Sequence, residues 1–256
     1  MSGLDTVGWE VLPVDPDVLR WVEAAHGAAM AVVADPAMRA RWLRHGATWF
    51  VGVDALPNAP DGSIGGVPLN GLWCDRVGWG GAWHPAQLSV VYPGYPGRDP
   101  DESDAAHAFR RDRDAAHLDG LLAEGPDKRR YLREPHGIIV GLPLNRVAPG
   151  ASPLVVWEGS VPIIRAAMAR AFAGRSPKDW AAVDVTEVYQ AARRAVFARC
   201  TRRVIEAAPG QVVLVHRMAI HGVAPWQDRV AAPAEGRMVA YFRPILADPA
   251  DWLLPG

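Results

Sequence analysis

The chain has 256 residues with 27 basic and 28 acidic side chains, and its formal charge of −1 lacks the basic excess that binding along a phosphate backbone requires. No apolar run reaches membrane-spanning length, and the N-terminus MSGLDTVGWEVLPVDPD has no basic start followed by an apolar core. Cys74 and Cys200 stand far apart in no paired spacing, which argues against a disulfide framework and a Cys-rich zinc site. The expectation is a soluble cytoplasmic protein without nucleic-acid partners or membrane insertion, and its 25 glycines and 23 prolines favour many turns and short strands over a helical bundle.

The first organised stretch, DPDVLRWVEAAHGAAMAVVADPAMRARWLRHG, opens with Asp15 at a helix N-cap and Pro16 at the first helical position. Val18, Leu19, Val22 and Ala25 recur at helical spacing, Asp35-Pro36 restarts the pattern, and Gly46 should end it. Residues 1–46 thus read as a helical N-terminal layer on a single domain spanning 1–256.

From residue 47 the pattern changes to short alternating or apolar runs: TWFVGVD, QLSVVYP, AAHLDGLL, HGIIVGLPL, SPLVVWEG, QVVLVHRM, HGVAPW and RMVAYFRPIL. Strand candidates separated by Gly, Pro and Asp clusters predict a mainly β sandwich or barrel over 47–245. Between two of them, YPGYPGRDPDESDAAHAFRRDRD is charge-rich and reads as a solvated helix face in preference to a lid. Helices interrupt the late part at about 160–208: VPIIRAAMARAFAG, and DVTEVYQAARRAVFARCTRRVIEAA with Asp184 and Glu187 at capping-box spacing. Val188, Ala192, Val196, Cys200 and Val204 predict one packed stripe along the second helix, ended by Pro209-Gly210.

HLDGLL, residues 117–122, carries the first chemistry. On an extended strand His117 and Asp119 point to one face. A later run, QVVLVHRMAIHGVAPW, supplies His216 and His221, whose separation of five puts them on opposite strand faces. Two histidines and one carboxylate form the facial set that suits non-haem Fe(II), leaving positions open for a co-substrate and O₂. In GRMVAYFRP, Arg237, Val239, Tyr241 and Arg243 share one face, and an arginine there can grip a dicarboxylate through two parallel hydrogen bonds.

HLD at 117–119, LPLN with SPLVVWEGS within 142–160, PGQVVLVHRMAIHG at 209–222 and RMVAYFRP at 237–244 together resemble the phytanoyl-CoA dioxygenase-like branch of the Fe(II)/2-oxoglutarate oxygenases. The resemblance spans about residues 86–245. It implies a double-stranded β-helix, a jelly-roll and cupin relative with helices packed outside. It implies that His117, Asp119 and His221 bind Fe(II), His221 being preferred to His216 because a glycine follows it. It further implies that Arg237 binds the distal carboxylate of 2-oxoglutarate, and that O₂ and 2-oxoglutarate serve as co-substrates in hydroxylation of a small molecule. The related halogenases lack the carboxylate, so Asp119 favours hydroxylation.

The sequence departs from that pattern in places. Val161 and Val223 stand where many relatives have a histidine and a serine, and the interval from His221 to Arg237 is long, which keeps Arg229 and Arg243 open as alternatives to Arg237. Gln87, which shares a face with Ser89 and Val91, is a candidate co-substrate contact by position. Arg129 and Arg130, following the His-x-Asp segment, are candidates for binding an anionic substrate, against the plainer reading of a basic solvent-facing loop. Trp73, Trp79, Trp83 and Trp157 are expected to be packing residues before pocket residues. Two rival functions use the same ligands: a non-catalytic metal-binding jelly-roll protein, and a zinc-dependent hydrolase, for which no HExxH motif is present.

Overall fold

A computed structural model of the chain describes residues 3–231 and 233–255. In chain order its elements begin with helix α1 (Gly3–Thr6), strand β1 (Trp9–Leu12), helices α2 (Pro16–Ala34) and α3 (Pro36–Trp42), and strands β2 (Leu43–Arg44) and β3 (Trp49–Phe50). The middle of the chain forms α4 (Trp73–Val77), β4 (Gln87–Val91), α5 (Asp104–Asp112), β5 (Leu121–Glu124), β6 (Arg129–Leu132), β7 (Ile138–Pro143) and β8 (Leu154–Glu158). The last part carries α6 (Ser160–Ala171), α7 (Thr186–Arg199), β9 (Thr201–Ile205), β10 (Val212–His216), β11 (His221–Val223) and β12 (Arg237–Phe242).

Among the described residues the strands form a seven-stranded antiparallel sheet of order β1-β10-β7-β12-β4-β3-β2, a three-stranded sheet of order β11-β8-β9, and the β5-β6 hairpin. This is the expected double-stranded β-helix, a larger and a smaller sheet facing each other with helices outside. Period-two alternation sorts each strand of the larger sheet. Leu88, Val90, Val140, Leu142, Val212, Leu214, Met238, Ala240 and Phe242 face outward against Val18, Trp21, Val22, Ala25 and Ala29 of α2. Their neighbours Ile139, Val213 and Val215 face inward, in a second core with β8, α6 and α7.

Both N-terminal helices start where the sequence predicts, but the second ends at Trp42, short of Gly46, because Leu43–Arg44 pairs with Trp49–Phe50 as β2. The Asp15 carboxylate accepts the Asp17 N–H at 2.8 Å with its Oδ1 and the Leu72 N–H at 2.8 Å with its Oδ2, so one cap also ties down a distant loop. Two further differences bear on the sequence reading. WEVL forms β1, an edge strand paired to β10, though it is half-buried throughout and so lacks a clean alternation. The second late helix ends at Arg199, with Cys200 in extended conformation, and TRRVI becomes β9 because pairing with β8 satisfies its backbone. Val188, Ala192 and Val196 stay on the α7 stripe, whereas Val204 is 46% exposed on β9. Its cap also differs: the Asp184 carboxylate accepts from Thr186 N–H at 2.9 Å, with no reciprocal Glu187 bond among the described residues.

The charged 99–114 segment contains α5, mostly solvent-facing as expected, with the Ser103 hydroxyl accepting the Ala106 N–H. It is anchored by the Glu102–Arg110 ion pair and by Phe109 against Phe197. Among the described residues no helix is long and apolar enough to cross a membrane.

At the end of β10, His216 is 3% exposed beside Asp5 and Arg165. Its Nδ1 accepts the Met218 N–H at 2.9 Å. Burial, then the Arg217 and Arg165 charges, push its pKa down to about 3 against the opposing pull of Asp5. The unfolded imidazole titrates near ~6.5. Below that pH the unfolded chain takes up a proton that the folded chain refuses, so this group destabilises the fold progressively as pH falls toward the folded value. Replacing His216 by Asn, whose Oδ1 can still accept the Met218 N–H, should flatten the fall of unfolding free energy between pH ~6.5 and ~4 in urea titrations, by up to about 1.4 kcal/mol per pH unit.

Candidate metal centre and its cavity

The segment that carries His117 and Asp119 is not a regular strand. His117 makes an isolated antiparallel bridge with His221, His117 N–H donating to His221 O at 2.9 Å and His221 N–H donating to His117 O at 3.1 Å. Regular pairing resumes only at Leu121, because Asp119 and Gly120 form a turn, with Gly120 at φ +83°. His117 and Asp119 nonetheless meet, their Nε2 and Oδ1 atoms lying 3.1 Å apart.

Both glycines that follow the polar pairs have a steric reason to be there. A Cβ on Gly120 would stand 2.1 Å from the Glu134 carbonyl oxygen, and a Cβ on Gly222 would stand 2.1 Å from the Asp114 carbonyl oxygen. At Gly222 the cause is close backbone approach, since the Val223 N–H donates to that same Asp114 oxygen at 2.9 Å. The Asp114 carboxylate in turn accepts two hydrogen bonds from Arg202 of β9, at 2.7 and 2.8 Å, and the Tyr189 hydroxyl of α7 accepts the Leu118 N–H at 3.1 Å. The β9 strand and α7 therefore support the histidine-bearing loop from behind.

The two imidazoles are set alike. His117 Nδ1 donates to the Ala115 carbonyl at 2.9 Å and His221 Nδ1 donates to the Ala219 carbonyl at 3.0 Å, which leaves each Nε2 free to face Asp119. One donor atom from each of His117, Asp119 and His221 lies within 4.8 Å of the others. Their side chains are 44%, 10% and 9% exposed, so the cluster opens to solvent on the His117 side. This donor set fits a divalent transition ion: two imidazole nitrogens, one carboxylate, and backbone carbonyls that fix each ring's orientation from behind.

Electrostatics favour the ligating forms of Asp119 and His221. Burial alone would raise the Asp119 pKa, but His221, His117 and the Arg243 cation hold it well below the usual carboxylate range. Burial dominates at His221 and pushes its pKa down to about 4, so its imidazole is neutral. At His117, burial is outweighed by the hydrogen bond and charge of Asp119, and the pKa is raised. Metal binding at His117 competes with its protonation.

The cluster forms one end of a cavity of about 210 Å³. Its wall contains Trp49, Val51, Val53, Gln87, Ser89, Ile139, Leu154, Val215, Val223, Tyr241 and Arg243. A second cavity of about 230 Å³ shares Leu154 and Tyr241 with the first and contains Arg237, Val239, Gly141 and Gln211. Arg237 Nη1 is buried there with no hydrogen-bond partner among the described residues.

The sequence-derived candidates therefore divide. His117, Asp119 and His221 come together, and Gln87 lies on the wall of their cavity. Arg237 lies in the adjoining cavity, and Arg243 in the cavity of the triad itself, with Nη1 3.4 Å from Asp119 Oδ2. Arg229 is exposed. The structure does not bring Arg129 and Arg130 to the triad: Arg129 pairs with Asp184 at 2.9 Å and Glu187 at 3.5 Å, and Arg130 Nη1 donates to the Leu121 carbonyl at 2.9 Å. They stand on β6 of the hairpin, Arg129 turned toward the start of α7 and Arg130 toward the backbone of the partner strand β5. Trp73 and Trp157 are buried packing residues, while the tryptophan at the cavity is Trp49, its indole N–H donating to the Ser89 hydroxyl at 2.9 Å. Sequence reasoning missed Trp49, Tyr189, Asp114 and Arg202; of these only Trp49 carried a local signal, its place at the head of an alternating run.

Fold and donor set together define a double-stranded β-helix protein with a candidate three-residue metal centre. No protein-family model matches the chain, and no curated protein matches it. Among solved structures it is similar to SnoK, a non-heme alpha ketoglutarate dependent carbocyclase from nogalamycin biosynthesis, at a TM-score of 0.52 and 14% identity over 96% of this chain and 82% of that one. It is also similar to EctD from S. alaskensis with bound Fe (TM-score 0.46, 17% identity, 94% and 73% covered). A third, AviO1 from Streptomyces viridochromogenes Tue57, matches at a TM-score of 0.45 and 14% identity, with 96% and 94% covered. At this identity the likeness to SnoK establishes a shared fold.

Gly222→Ala should disturb this centre without touching a ligand. The added methyl has nowhere to go but against the Asp114 backbone, so the fold should lose about 1–3 kcal/mol in urea unfolding. Co(II) binding, followed by isothermal titration, should weaken in parallel as the bridge between His117 and His221 opens.

Proposed function

We propose that this protein is a non-haem Fe(II)- and 2-oxoglutarate-dependent oxygenase that hydroxylates a small molecule. The observation that carries the reading is the convergence of the His117, Asp119 and His221 donor atoms within 4.8 Å on the wall of a cavity that also holds Gln87, Arg243 and an aliphatic surface. His117 and His221 would present their Nε2 atoms to the ion and Asp119 one carboxylate oxygen, a facial set that leaves the opposite positions open. With a ferrous ion held there, oxidative decarboxylation of 2-oxoglutarate by O₂ supplies the oxidising power that converts a substrate C–H into C–OH.

The chain's own residues do the positioning. The buried and unpartnered Arg237 Nη1 would find its partner in the distal carboxylate of 2-oxoglutarate, in the neighbouring cavity that shares Leu154 and Tyr241 with the metal side. That orphaned donor favours the oxygenase over a zinc hydrolase or a purely metal-binding protein, for which a dicarboxylate grip has no use. Gln87 would offer its amide to the co-substrate from β4. The aliphatic wall of Ile139, Leu154, Val215 and Val223 keeps water from the reacting carbon.

The sequence motifs favour the phytanoyl-CoA dioxygenase-like branch, and the shared fold with a carbocyclase described as alpha ketoglutarate dependent supports the wider class. Two free cysteines, Cys74 and Cys200, suit a reducing cytoplasm.

Anaerobic addition of Fe(II) and then 2-oxoglutarate should give a visible charge-transfer absorption, and admission of O₂ should release succinate. Asp119→Ala should give neither. Arg237→Leu should need roughly 30-fold more 2-oxoglutarate for the same absorption, the loss of about 2 kcal/mol that results when a buried charge loses its partner. Zinc-dependent hydrolysis with no response to 2-oxoglutarate would replace this reading with the hydrolase.

A further inference from the structure

Arg243 lies one residue beyond β12 and continues the inward face of Arg237, Val239 and Tyr241. Two histidines hold its backbone in place. Its N–H donates to His84 Nε2 at 2.8 Å, and its carbonyl accepts from His136 Nδ1 at 2.9 Å. The His84 ring is itself fixed, Nδ1 donating to the Pro85 carbonyl at 2.7 Å. The side chain is 19% exposed and reaches Asp119 Oδ2 with Nη1 at 3.4 Å, a long contact, while its Nε is buried without a hydrogen-bond partner among the described residues. A guanidinium has five N–H donors, so one weak contact leaves most of its fork unused.

From this geometry we infer that Arg243 recognises the primary substrate, and that the substrate is a carboxylate carried on an apolar body. The inference rests on the oxygenase reading. On the oxygenase reading Arg237, in the adjoining cavity, takes the far carboxylate of the co-substrate, which leaves Arg243, beside a metal ligand, for another anion. Arg243 already faces Asp119, and the Glu134 carboxylate also acts on it, but neither takes up its fork: Nη1 has one long contact and Nε is buried without a partner among the described residues. Buried donors left unpaired are costly, and a bound carboxylate, whose two oxygens match the guanidinium fork, removes that cost. The walls beside Arg243 are Trp49, Val51, Val53 and Val223, which suit an aliphatic or aromatic body.

The test uses the anaerobic protein loaded with Fe(II) and saturating 2-oxoglutarate, and reads perturbation of the charge-transfer absorption. Matched probes are added: hexanoate against hexanamide, and 3-phenylpropanoate against 3-phenylpropanamide. The carboxylates should perturb the band at concentrations roughly 30-fold lower than their amides, the discrimination expected when the neutral analogue leaves a buried charge unmatched. Arg243→Gln should keep the 2-oxoglutarate band and lose that preference, and Arg243→Lys should regain part of it. Equal responses to acid and amide, or no response to either while the band forms, would overturn the inference. So would loss of the 2-oxoglutarate band itself in Arg243→Gln, because Arg243 would then serve the metal or co-substrate. A wild-type protein that forms no band at all would refute the oxygenase reading, and this inference with it.

Discussion

Two reciprocal backbone hydrogen bonds, His117 N–H to His221 O at 2.9 Å and His221 N–H to His117 O at 3.1 Å, are the constraint on which the functional geometry depends. They join segments that lie far apart in the chain and bring the ring centroids to 4.8 Å. The pairing is possible only because Gly222 lets the Asp114 carbonyl approach, and it is braced by Arg202 on Asp114 and Tyr189 on the Leu118 amide. Each brace comes from an element beyond the strands that carry the donors, so the late helix and β9 act as a buttress for the centre.

Around that link, Asp119 is the electrostatic centre. It is ringed by His117, His221 and Arg243, all within 3.7 Å, and their combined field keeps it ionised against a strong desolvation penalty. A buried carboxylate so surrounded keeps its position and charge before any ion arrives, which limits the reorganisation that metal binding would require. The inner face of the larger sheet then runs from this charged end to Arg237 in the next cavity, with Tyr241 of the same sheet and Leu154 of the facing one lining both. Polar side chains, among them Gln87, Ser89, Gln211 and Glu206, interrupt walls that are otherwise mostly apolar.

The opposite face of the same strands has a different task. Val212, Leu214, Met238, Ala240 and Phe242 bury themselves against α2, with Trp21 tied by its indole N–H to the Gly62 carbonyl at 2.8 Å. Because side chains alternate, fixing this outer face also fixes the register of the inner one. The N-terminal layer thus sets where Gln87, Tyr241, Arg237 and Arg243 point, although no residue of α2 lines either cavity.

Local periodicity and side-chain chemistry were determined by the sequence alone. Alternation in QLSVVYP and RMVAYFRP separates Gln87 and Ser89 from Leu88 and Val90, and groups Arg237, Val239, Tyr241 and Arg243; caps at Asp15 and Asp35 start two helices; and the types of His117, Asp119 and His221 suit a metal. Only the tertiary structure decided the rest. TRRVI leaves the helix because a strand partner, β8, is available to it, and WEVL becomes an edge strand because β10 lies beside it; neither partner is local. Arg129 and Arg130 turn to carboxylates and a carbonyl of their own surroundings, and Arg237 and Arg243 fall in separate cavities although the sequence places them on one face. Spacing along a strand states which side chains share a face, but which of them share a volume depends on what the opposing sheet and loops place between them.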